Sequence, residues 1–173
     1  MGIQERTGLA PNITSVTWSP PPLGWIKVNM TGSAKEVSSV SGCNGVFCTS
    51  HGFVKGCFAF LARDSFAFEV EILAFIFAIE KAAQFNWNKL WIECDSTYVT
   101  HAFYNQSVSI PWKIQNHWLK ALVLSKKLQI LLTHVFRKGN TVANKLVASG
   151  SSLLIIFRLF LHRHPSLSLL LRT

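Results

Sequence analysis

The sequence predicts an α/β domain on a mixed five-stranded sheet: a three-strand antiparallel meander, then αβ units, with helices flanking the sheet. Three observations carry that expectation. Strand-like runs come first, between residues 25 and 60. One long apolar helical pattern follows over 65–86, free of Gly and Pro. Short apolar strand runs then alternate with helical segments. The 173 residues are enough for one domain with a sizeable core, and 49% hydrophobic content with 13 Phe and 6 Trp excludes a disordered chain.

Each element has its own local reason. Residues 1–23 read as a linker, polar and closed by Ser19-Pro20-Pro21-Pro22, which excludes helix. Trp25–Met30 alternates large and polar residues, as a strand does. Lys35–Ser41 is a polar connection. Gly42–Thr49 and Phe53–Phe60 are apolar runs around Ser50-His51-Gly52, a hairpin pattern. Ser65–Asn86 places Val70, Leu73, Phe77 and Ala78 at helical spacing and is apolar on most sides, so a deeply packed helix is expected. Leu90–Cys94 is a short buried strand, and Asp95 or Ser96 can cap the helix Thr97–Asn105. Pro111 opens a helix through about Lys126. In it Trp112 and Trp118 lie six apart, so at least one of them is expected to be exposed. Leu128–Phe136 is the fifth strand, and Gly139-Asn140 introduces a last short helix, Thr141–Ala148. The domain therefore spans 24–150, and the tail 151–173, rich in Leu, Ser, Arg and His, is expected to lie outside the fold.

Charge is unevenly spread. The chain carries 17 Lys and Arg against 8 Asp and Glu, a net +9. All eight acids lie in residues 1–95, which sum to −1, while residues 96–173 sum to +10. That asymmetry favours a polyanionic partner or a membrane surface over an acidic small substrate. Met1–Thr17 lacks a basic run followed by an apolar core, so a secretory signal is not expected and an intracellular place is. Arg6 occupies the position where myristoylation wants Ser or Thr. The four cysteines show no metal-ligand spacing and read as buried reduced thiols. No apolar run is long enough for a transmembrane span.

Four segments, in order and at matching spacing, resemble a type 1 ribonuclease H domain. They are Pro20–Asn29 (PPPLGWIKVN), Phe68–Ala74 (FEVEILA), Leu90–Ser96 (LWIECDS) and His134–Leu146 (HVFRKGNTVANKL). The segments resemble specifically the plant form found at the end of non-LTR retrotransposon reverse transcriptases, and the likeness covers about residues 18–150. The resemblance implies a ribonuclease H-like fold and two-metal hydrolysis of the RNA strand of an RNA–DNA hybrid. In that family four carboxylates hold two Mg²⁺ or Mn²⁺ ions, hard cations that require oxygen ligands and several negative charges.

Carried onto this sequence, the resemblance gives a mixed result. Glu71 and Asp95 match the helix and fourth-strand carboxylates, and His134 matches the family histidine that assists product release. Thr31 stands where the family has its first-strand carboxylate, and Asn144 where it has the last. Lys138 replaces a residue that is usually acidic. Formal site charge falls from −4 to −2, so metal occupancy and cleavage rate are both expected to fall steeply. Catalytic and metal candidates are thus Glu71 and Asp95, with His134 beside them and Thr31 and Asn144 as degenerate positions.

Each candidate also has a plainer reading. Glu71 can be a solvated helix residue, Asp95 a helix cap, and His134 a strand histidine. Phe66, Phe68, Phe75 and Phe77 read as core rather than stacking residues. Binding a hybrid needs less than cutting it: cations for phosphates, and small polar groups or backbone amides for 2′-hydroxyls. By resemblance Asn44, Gly45 and Ser96 are nucleic-acid contacts. Lys113 and Lys120 sit on the helix that often carries basic contacts, and can equally be solvated charges. The tail reads either as a basic amphipathic segment or as the shifted-frame end of a decayed element. The expected protein is a monomeric hybrid-binding domain with impaired cleavage; the alternatives are a non-catalytic nucleic-acid-binding module or a decayed retroelement product.

Overall fold

The structure is a computed structural model that describes residues 18–34, 40–63, 65–105, 108–136 and 156–159. The five expected strands form: β1 (Ile26–Ala34), β2 (Val40–Cys48), β3 (Val54–Arg63), β4 (Lys89–Cys94) and β5 (Gln129–His134). Three helices accompany them: α1 (Ala67–Gln84), α2 (Thr97–Asn105) and α3 (Trp112–Ser125). A sixth strand, β6 (Ile156–Leu159), completes a sheet of order β5-β4-β1-β2-β3-β6. β1 pairs antiparallel with β2, and β2 with β3, as the meander requires. β1, β4 and β5 run parallel. Their carboxyl ends therefore share one end of the sheet.

The core lies between the sheet and α1. Val28, Met30, Phe47, Phe58, Leu90 and Ile92 meet Ile72, Phe75 and Ile79 there. α1 begins after Phe66, whose backbone is extended and whose N–H donates to the Glu69 carboxylate at 3.0 Å. It ends at Asn86, in the left-handed region at φ 55, where the Trp87 N–H returns to the Ala82 carbonyl at 2.8 Å. Asparagine tolerates that conformation better than most residues. These two stops make the helix shorter at each end than its apolar pattern suggests. On α3, Trp118 is 4% exposed and stacks at a tilt on Phe75, while Trp112 is 79% exposed. Their six-residue spacing sends them to different faces, as expected. Phe75 and Phe77 join the core, but Phe66 is exposed.

Two boundaries differ from expectation. Ile156–Leu159 belongs to the fold, so the tail does not lie wholly outside it. Its pairing with Gly56–Ala59 covers the edge of β3, which otherwise presents unpaired backbone groups. Three of its four residues, Ile156, Phe157 and Leu159, are apolar and two are aromatic or β-branched, which suits a strand. The linker also ends earlier than residue 23. Trp18 donates its indole N–H to Asn29 Oδ1 at 2.9 Å, and the Ser19 carbonyl accepts from Lys27 Nζ at 2.7 Å. Residues from Trp18 onward are part of the domain. The helix expected over Thr141–Ala148 lies outside the described residues, as do Asn144 and Lys138.

Candidate functional site

Thr31, Glu71, Asp95 and Ser96 meet where β1 and β4 end. Met30 is paired with Cys94, so the next residues of the two strands, Thr31 and Asp95, are neighbours. Thr31 Oγ1 donates to Asp95 Oδ2 at 3.1 Å. α1 crosses β1 closely at Gly32: a Cβ there would stand 2.7 Å from Glu71 Cγ and 3.0 Å from the Glu71 backbone nitrogen. Glycine is what lets Glu71 reach the strand end. Ser96 Oγ donates to Glu71 Oε2 at 2.5 Å and accepts from the Val99 N–H at 3.3 Å, capping α2. One buried hydroxyl thus ties the first helix to the second. Of the two capping candidates, Ser96 is the one that caps.

The two carboxylates have an electrostatic consequence nearby. The Cys94 thiol is pushed up to about 11, first by burial, with the charges of Asp95 and Glu71 adding to the shift. Charge at this end is negative, and it is answered by hydroxyl donors from Thr31 and Ser96. Among the described residues no three His, Cys, Asp or Glu side chains are grouped to hold a metal ion.

The remaining candidates divide. His134 ends β5 opposite Cys94, so it lies at the same end of the sheet; it is exposed, its ring edge-on to Phe136. Asn44 lies opposite Thr31 on β2 and is buried, with no hydrogen-bond partner for its Oδ1. Gly45 has a packing reason: a Cβ there would stand 2.4 Å from the Phe58 ring. Lys113 is exposed on α3. Lys120 is not at the strand ends; its ammonium stands 3.6 Å from Glu80. Glu80 is nine residues beyond Glu71 on α1, or ~13.5 Å along the helix.

Sequence reasoning missed a cluster on the sheet face away from α1. Lys27 is fully buried, with Nζ 2.8 Å from Glu93 Oε1 and over the Trp91 ring at 4.1 Å. Asn29 Nδ2 donates to Glu93 Oε2 at 2.7 Å. Burial lowers the Lys27 pKa, and the Glu93 hydrogen bond and charge oppose that shift. The signal available was the alternation Lys27, Asn29, Thr31 on β1 facing Glu93 on β4 and Asp95 just beyond it, a polar row with one buried cation.

A sequence profile described as reverse transcriptase-like matches residues 29–150. The chain belongs to the reverse transcriptase-like family. Its solved structural neighbours agree on the fold. Ribonuclease H1 from the archaeon Halobacterium salinarum NRC-1 superposes with a TM-score of 0.64 at 19% identity, covering 75% of this chain and 100% of that one. The N-terminal ribonuclease H domain of a Mycobacterium tuberculosis protein gives 0.64 at 16% identity, over 75% and 99%. LC11-RNase H1, solved in complex with an RNA/DNA hybrid, gives 0.61 at 16% identity, over 70% and 92%. No curated protein sequence matches the chain. This member of the reverse transcriptase-like family therefore has the ribonuclease H-like fold, extended by β6.

Proposed function

We propose that the chain is a ribonuclease H-like domain, derived from a plant non-LTR retroelement, that binds RNA–DNA hybrid and has lost most of the ancestral cleavage of its RNA strand. The observation that carries this reading is the hydrogen bond from Thr31 to Asp95. Where the family has a carboxylate, this chain has a neutral hydroxyl that donates to its neighbour. Ser96 likewise donates to Glu71. A metal pair of total charge +4 needs several anionic oxygens, and these residues supply two carboxylates with one acceptor of each already taken. The donor set does not fit the family's two-metal centre.

Binding needs only what is present. Residues 96–150 carry +7, including Lys113 on the exposed face of α3. Cations meet phosphates, and the Asn44 amide, whose Oδ1 has no hydrogen-bond partner, is left for a 2′-hydroxyl of the minor groove, since the Ser96 hydroxyl is already committed to Glu71 and Val99. The hybrid seen with LC11-RNase H1 supports this choice of partner. In this proposal His134, exposed at the same end of the sheet, meets a strand leaving the site. The test is filter binding of labelled hybrid, duplex RNA and duplex DNA across a salt series, with Mg²⁺-dependent cleavage followed in parallel. Hybrid is expected to bind with a steep negative salt slope and to stay uncut. Salt-independent affinity, or cleavage abolished by Glu71→Gln, contradicts the proposal.

A further inference from the structure

The end of the sheet opposite Thr31 and Asp95 holds a second recess. A cavity of about 590 Å³ opens between the start of β1, the β2–β3 turn and the α1–β4 connection. That volume is in the range of small-molecule sites. Trp25, Trp87, Lys55, Lys89, His51 and Asn88 are among its lining residues, and no carboxylate lines it. Ile26 and Thr31 are five residues apart on β1, so the recess lies ~17 Å from the carboxylates.

Its walls are fixed in different ways. Trp87 is held by Phe47, at a ring distance of 5.1 Å, and stacks on Phe85 at 5.2 Å. The left-handed turn at Asn86 sets its direction. His51 stacks on Phe53 and lies 3.3 Å from Ser50 Oγ. Lys55 and Lys89 are both exposed, and neither forms an ion pair with a described residue. Two uncommitted ammonium groups thus flank two indoles.

We infer that this recess binds a nucleotide, independently of the carboxylate end of the sheet. Lysine ammonium groups are suited to a phosphate as point charges. An indole offers a stacking platform to any base, and the Asn88 amide can both donate to and accept from a base edge. A bare phosphate leaves the aromatic walls unused, and an apolar ligand leaves the lysines unused. A nucleotide uses both.

Calorimetric titration of the full chain with AMP, adenosine and inorganic phosphate, without divalent metal, tests the inference. AMP is expected to bind at least about tenfold more tightly than either part. Lys55→Ala with Lys89→Ala is expected to weaken AMP about tenfold or more and leave adenosine unaffected. Trp25→Ala is expected to weaken AMP and adenosine alike. Lys81→Ala removes a positive charge outside the recess and is expected to leave AMP binding unchanged. The two exposed lysines can be replaced without disturbing the core, so their result decides even if the tryptophan variant unfolds. No AMP binding at millimolar concentration, an unchanged affinity in the Lys55/Lys89 variant, or an equal loss in the Lys81 variant overturns the inference.

Discussion

Lys27 shows how much one side chain can depend on a distant one. Its ammonium is buried against Glu93, the Ser19 carbonyl and the Trp91 ring. Removing only the cation leaves Glu93, itself largely covered, with Asn29 but without a counter-charge. Lys27→Met is therefore expected to cost about 3 kcal/mol in urea unfolding, and Lys27→Met with Glu93→Leu to recover most of it. A single variant as stable as the parent contradicts the burial. Gly45→Ala is a second residue-scale test. Its methyl would press on the Phe58 ring, with an expected cost of about 1–3 kcal/mol and no compensating contact. The strand alternation placed Lys27, Asn29 and Thr31 together on one face, and that much was legible. What covers the face was not, because Glu93 lies 64 residues from Asn29 and Trp18 lies in a segment that looks like linker. Period-two patterning gives a side chain's phase, not its neighbour. The site divides in the same way. Glu71, Asp95 and Ser96 were legible from motif spacing, whereas the Thr31–Asp95 hydrogen bond required the parallel register of β1 and β4.

At the scale of elements, the close approach of α1 to β1 rests on Gly32. A side chain there meets backbone as well as the Glu71 side chain, so the helix itself must shift. The segment Trp18–Pro22 presents a different dependence, sealing the polar row on the far face of the sheet through Trp18 and Ser19. A chain truncated before Trp18 is expected to melt several degrees above one truncated before Leu23, which loses the indole and carbonyl partners of Asn29 and Lys27. Equal melting of the two truncations contradicts the seal. Three prolines argue against helix but say nothing about packing, which is why this segment read as linker. β6 was illegible for a related reason. Its four residues are unremarkable in a Leu-rich tail, and only the open edge of β3 gives them a place. The meander and αβ order, by contrast, followed from apolar runs bounded by turn residues. The hairpin at Ser50-His51-Gly52 closes with Gly52 at φ 75, a position glycine takes without strain.

Over the whole molecule, burial of thiols and separation of charge set the response to conditions. Cys48 is pushed up to about 12 and Cys94 to about 11, both mainly by burial. In the unfolded chain these thiols ionise near pH ~9, so between there and pH ~11 the unfolded state binds fewer protons than the folded one. Stability is expected to fall as pH rises through that window. The lowered Lys27 acts in the opposite sense below its ordinary value, but one amine opposes three thiols, Cys43 being raised by burial as well. Melting at pH 8 and pH 10.5 checks the sign; replacing Cys48 and Cys94 with Ala should flatten the fall. The charge separation fits the proposed function: a nearly neutral first half holding both carboxylates, and a basic second half with charge available for phosphate. The central claim is that the fold is that of a hybrid nuclease and that Thr31 and Asn144 are what disable it. The most direct measurement is Mg²⁺- or Mn²⁺-dependent cleavage of a labelled RNA–DNA hybrid by the parent chain and by the Thr31→Asp, Asn144→Asp double variant. The account predicts an uncut hybrid with the parent and metal-dependent cutting of the RNA strand with the double variant, lost again on Glu71→Gln. Cutting by the parent, or a well-folded double variant that leaves the hybrid intact, contradicts it.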